Sequence, residues 1–183
     1  MARFTDPEHQ LGSFLAKYSN EIASLAEAIR LRLRKLYPTA LELVYDNYNA
    51  LAIGYSPSEK ASEAIFSIAL YPRWVSFFFL QARGLADPEC RLKGSGTVCK
   101  HVVLNSPADL NDPALQDLMH QALEIAKAPF PPKGEHRLVI KSVSAKQRPR
   151  RPAQDSSKPT TPTKRASSAK RAISAYTAGQ TNS

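Results

Sequence analysis

Cysteine, tryptophan and long apolar runs are all scarce in this chain. Its 183 residues hold two cysteines, Cys90 and Cys99, and one tryptophan, Trp74. Two cysteines do not make a disulfide framework, so both are expected to be free thiols in a reducing compartment. The most apolar window, Trp74 to Leu80, is far too short to cross a bilayer, and the first residues lack an apolar run of signal-peptide length. The expectation is a soluble cytoplasmic protein. Catalytic signatures are missing as well: there is no Gly-x-Ser-x-Gly elbow, no His-Glu-x-x-His and no dinucleotide fingerprint. The histidines His9, His101, His120 and His136 stand outside any recognisable nucleophile motif, and no cofactor is called for. A non-catalytic protein is the favoured reading.

Acidic residues are also scarce in the last quarter. Residues 137–183 carry eleven Lys or Arg against Asp155 alone, whereas residues 1–136 carry fourteen against fifteen acids. The formal +9 is therefore a near-neutral body joined to a strongly basic segment. From Lys146 the composition is dominated by Lys, Arg, Ser, Thr, Pro and Ala, too poor in large apolar side chains to bury a core. The expected organisation is one domain over residues 1–145 and a disordered basic tail over 146–183.

Within the body, Leu11, Phe14, Leu15, Tyr18, Ile22, Leu25, Ala26, Ile29, Leu33 and Leu36 recur at helical spacing. Ser19 is placed to cap a second segment inside that stretch. Asp112-Pro113 starts another helix, with Leu115, Leu118, Met119 and Ala122 on its apolar face. Between them the period changes to two. Strands are expected at 43–48, 51–55, 65–71, 75–80, 100–104 and 138–143, with a turn at Pro72-Arg73-Trp74. Residues 65–71 and 75–80 are apolar on both faces, which predicts central strands covered on both sides by helices. The fold class is thus α+β: a mainly antiparallel sheet of five to six strands with two principal helical segments packed on it.

The run VYDNYNALAIGYSPSEKASEAIFSIALYPRWVSFFFLQARGLADPECRLKGSG, the later HVVL and the segment LVIKSVSAKQRPRR resemble the YdhG-like family, a bacterial domain of unknown function. The resemblance spans roughly residues 10–152 and implies the same α+β layout in a bacterial cytoplasmic protein. One branch of that family is described as a frataxin-like iron chaperone, which makes iron carriage the alternative function. The first helical stretch departs from an acidic ridge, since Glu8, Glu21 and Glu27 are followed by Arg30, Arg32 and Arg34.

Four groups of residues carry whatever chemistry the chain has. Cys90, Cys99 and His101 are the metal-capable types, but they lack the paired spacing of a zinc site, so no metal site is assigned. Lys93 and Ser95 lie in the loop Leu92–Thr97, where two glycines could let backbone N–H groups converge on an anion. A plain turn into the next strand is the blander account. Tyr45, Asp46, Asn47, Tyr48, Arg73 and Trp74 form the most unusual polar and aromatic set, suited to a ligand pocket at a sheet end or, more blandly, to sheet packing. The tail cations Lys146, Arg148, Arg150, Arg151, Lys158, Lys164, Arg165, Lys170 and Arg171 suit a nucleic acid or another polyanion bound through counterion release. The alternative is a solubilising linker. The expected function is therefore a binding domain of unknown ligand with a polyanion-binding tail; iron carriage comes second, and an enzyme of undescribed chemistry third.

Overall fold

The computed structural model describes residues 6–152. Helix α1 (Pro7–Leu15) is capped by Asp6, and α2 (Asn20–Leu36) by Ser19, whose hydroxyl accepts from the Ile22 N–H. The first helical stretch is thus two helices, broken where Ser19 takes extended backbone. Four strands follow: β1 (Leu41–Asp46), β2 (Leu51–Ser56), β3 (Phe66–Leu70) and β4 (Val75–Phe79). Then come β5 (Lys100–Leu104), α3 (Pro113–Glu124) and β6 (Leu138–Val143). Asp112 caps α3 by accepting from the N–H groups of Ala114 and Leu115. Among the described residues, no helix is long and apolar enough to cross a membrane.

The strands form one six-stranded sheet in the order β5-β4-β3-β2-β1-β6. All neighbours are antiparallel except β1 and β6, which run parallel. The α+β class and the mainly antiparallel sheet therefore stand as read from the sequence.

Alternation divides the sheet into two unlike faces. Val44, Leu51, Ile53, Tyr55, Phe66, Ile68, Leu70, Val75, Phe77, Phe79, Val102 and Leu104 join the apolar faces of all three helices in one buried cluster. Phe66 stacks on Phe77 at 5.3 Å, and Phe79 meets both edge-on. The expected helical cover on both sides of β3 and β4 is corrected here, because all three α-helices pack on this one face and only the short 3-10 turn Ala61–Glu63 borders the other. Ser67 and Ala69 of β3, on the opposite face, are buried without any α-helix above them. They are small enough to be shielded by larger neighbours and an adjoining loop.

The domain also continues past the expected boundary at residue 145. After β6, the Ser144 N–H donates to Asp46 O and the Arg148 N–H to Tyr48 O. Arg150 lies buried against β1, and the Arg151 guanidinium donates to the carbonyls of Ala16 and Tyr18. Residues 144–151 thus strap the end of β1 to the α1–α2 junction.

Candidate functional site: the helix-free face

The two carboxylates of β1 sit on the helix face, each built into a cluster of cations. Asp46 is wholly buried and accepts from Lys17 Nζ at 2.6 Å, Gln147 Nε2 at 2.7 Å and Arg150 Nη2 at 2.9 Å. Arg150 also lies over the Tyr18 ring at 5.6 Å and donates to Asn47 O. Tyr18 ties the same region together: its hydroxyl donates to Leu70 O and accepts from the Leu51 N–H. Burial pushes that phenol up to about 12. Glu42, equally buried, accepts from Arg30 at 2.5–2.9 Å, with His136 Nε2 at 3.3 Å. Burial opposes its ionisation, but His136 and Arg30 outweigh that and hold the carboxyl below its ordinary range.

These contacts correct two expectations. Asp46 is not a pocket residue, because its strand position turns it under the helices and its oxygens are spent on ion pairs. Arg150 is not an available tail cation, being only 4% exposed. A basic, proline-containing segment reads as solvated, and its acidic partner lies 104 residues earlier.

Of the other expected pocket residues, Asn47 and Tyr48 line a groove on the opposite face and Tyr45 its extension, Trp74 adjoins it through Tyr71, and Arg73 does not line it. The turns Asn47–Ala50 and Tyr71–Trp74 stand at the same end of the sheet, since Leu51 pairs with Leu70. Between Tyr48 and Tyr71 begins a groove of ≈ 420 Å³, floored by Ala52, Ser67 and Ala69 and walled by Phe78, Leu80 and Cys99. It continues into a second depression of ≈ 200 Å³, where Leu43 and Tyr45 form one wall and Ala61 and Ala64 close the end. Small residues make the floor: Gly54 pairs with Leu43 and Ser67, and Ala52 pairs with Tyr45 and Ala69. The Tyr45 hydroxyl is shielded from solvent and finds no partner among the described residues; desolvation raises its pKa.

Around the groove stand several rings, one of them under a guanidinium. Trp74, exposed at the hairpin tip, stacks on Tyr71 at 5.1 Å. Phe78 meets His101 at 4.9 Å, and partial burial, then Lys93, hold that imidazole below its usual pKa. Tyr48 lies under the Arg148 guanidinium at 5.7 Å. Arg73, Lys93, Lys146 and Arg148 are exposed and make no ion pair among the described residues. No strand residue on this face is a carboxylate.

Lys93 and Ser95 do not form an anion-binding loop. The Lys93 N–H and carbonyl both pair with His101, at 2.7 and 2.9 Å, so the segment extends the sheet beside β5. Gly94, at φ +112°, makes the turn that Ser95 continues. Cys99 lines the groove while Cys90, at φ +52°, borders a separate depression. Among the described residues, no three of His, Cys, Asp and Glu converge as a metal site. Lys158, Lys164, Arg165, Lys170 and Arg171 lie outside the described residues.

Sequence reasoning missed Tyr71, Phe78 and the small-residue floor. The signal was present, since Ala52, Gly54, Ser67 and Ala69 alternate with large apolar residues, but it becomes a groove only once strand register aligns them. No family model, curated protein or solved structure matches the chain.

Proposed function

We propose that this protein is a non-catalytic, cytoplasmic binding protein that holds polyanions, nucleic acid foremost. The observation that carries the reading is a separation of charge. The carboxylates of the sheet are buried in ion pairs on the helix face, whereas no strand residue of the other face is a carboxylate; Arg148 lies over Tyr48 at the groove, Lys93 pairs with His101 at the sheet edge, and Arg73 is exposed in the hairpin turn. Residues 153–183 add five cations against Asp155. Such a distribution attracts phosphates and releases their counterions on binding. The two free, exposed cysteines suit a reducing cytoplasm. Membership of the YdhG-like family is part of the same proposal, supported by the quoted sequence runs and by the α+β layout. Iron carriage draws no support from the site, because hard cations need free clustered oxygens and those of Asp46 and Glu42 are taken.

Fluorescence anisotropy with duplex DNA at two salt concentrations tests the proposal. Ending the chain at Pro152 removes five cations and Asp155, lowering the formal charge from +9 to +5. The expected result is weaker binding and a log K–log salt slope shallower by up to about 4.5, from ~0.9 per phosphate contact for the five cations removed. If the full chain binds no better than a neutral control protein, the proposal fails.

A further inference from the structure

The register arranges the helix-free face as rings on either side of a narrow floor. Across the sheet, Lys93, His101, Phe78, Ser67, Gly54 and Leu43 fall in one row of paired positions. The row thus begins with a cation and an imidazole–phenyl pair, then drops to small residues. At the sheet end, Tyr48 is 49% and Trp74 43% exposed. Arg148 lies over Tyr48, and Arg73 precedes Trp74 in the exposed turn.

The mixture of rings and cations discriminates among occupants. An apolar helix or peptide would use the groove but leave the guanidinium groups without partners. A second copy would bring the same positive rim against this one. Duplex DNA offers phosphates but keeps its base faces stacked inside. Unpaired nucleotides satisfy both features, because every base has a π face for the rings and every linkage a charge for the rim. Strands of five to six residues extend about 17–20 Å, room for roughly two or three bases of the kind an open antiparallel sheet stacks.

We propose that the helix-free face binds single-stranded nucleic acid, with bases stacked on Tyr48, Phe78 and the Tyr71–Trp74 pair and phosphates held by Arg73, Lys93 and Arg148. This rests on the polyanion reading and narrows it. Tyr48, already stacked on a guanidinium, forms a composite platform that a base extends.

Trp74 is the sole tryptophan, so its fluorescence reports on this face alone. The full chain is titrated with an oligothymidylate of about 15 nucleotides, near the upper site size of single-strand binders, and with a duplex of equal length. The single strand is expected to quench Trp74 and to bind more tightly than the duplex. Trp74→Ala and Tyr48→Ala, at exposed positions, each weaken single-strand binding roughly fivefold or more. Duplex binding stays within about twofold, since rings contribute little to phosphate contacts. Trp74→Phe retains the preference. Circular dichroism checks that each variant is folded. Equal binding of strand and duplex, with no quenching and no effect of either alanine, overturns this inference while leaving the polyanion reading intact. Binding of neither nucleic acid overturns both. A concentration-dependent dimer that shields Trp74 overturns the inference in favour of a second copy as the occupant.

Discussion

The two faces of the sheet are made from the same strands, one residue out of phase, and they differ in every property that matters. The helix face carries Phe66, Phe77 and Phe79 packed ring to ring and two ion-paired carboxylates beneath three helices. The other face carries Gly54, Ala52, Ser67 and Ala69 between rings with solvent-exposed edges. Close packing gives the first face its stability and leaves it no room for a ligand. Small side chains give the second face room and little cohesive energy. The comparison therefore assigns stability to one face and recognition to the other.

The sharpest way to break that assignment uses adjacent residues on β4. Phe77→Ala removes a side chain of 0% exposure and should cost about 3–5 kcal/mol. Phe78→Ala, on the groove wall, should cost less than about half as much, because its ring is only partly buried. Urea unfolding midpoints of the two variants decide it; equal losses would mean that the helix-free face is core as well.

Next in size is the strap. Asp46→Ala leaves Arg150 buried without its carboxylate and should cost about 3 kcal/mol. Ending the chain at Ala145 removes Gln147 and Arg150 from the same cluster and should also destabilise, whereas ending it at Pro152 should leave the unfolding midpoint unchanged. If both truncations are equally stable, the domain boundary returns to residue 145.

The smallest effect is in acid. Because the folded-state pKa of Glu42 is lowered, its contribution is present above the ordinary carboxylate range and is lost as pH falls through that lowered value. Glu42→Gln should be less stable than the parent at neutral pH by about 1.5–3 kcal/mol, the worth of hydrogen bonds to a charged group. The gap should close as the solution is acidified. Thermal midpoints measured from neutral to acid pH provide the check, and a constant gap would place the stabilisation elsewhere.

Much of the architecture was legible before any coordinates. The change of period from four to two located the strands, Ser19 marked the helix break, Asp112-Pro113 started α3, and Pro72-Arg73 turned the hairpin. Local rules sufficed there because caps and turns depend on residues a few positions apart. The site was legible only in part. Tyr48, Arg73 and Trp74 stood out by type, but their facing depends on alternation counted from paired strands. Asp46 and Arg150 misled for one reason: a buried ion pair looks like two surface charges when its members are distant in sequence. The parallel pairing of β6 with β1 was equally invisible, since nothing in either strand specifies its neighbour.

That last pairing also has a consequence during synthesis. β1 is complete at Asp46, but its outer edge stays unpaired until β6 ends at Val143. At about 5–20 residues per second, the nascent chain carries an open strand edge for roughly 5–20 s. The buried half of β1 also waits, because Gln147 and Arg150 reach Asp46 only after β6. Until then Asp46 has Lys17 as its ion partner but lacks Gln147 and Arg150, and a charged residue beside an unpaired edge makes it a poor template for another apolar strand. The charge that the finished protein hides at the end of β1 thus protects that edge before its proper neighbours have been made.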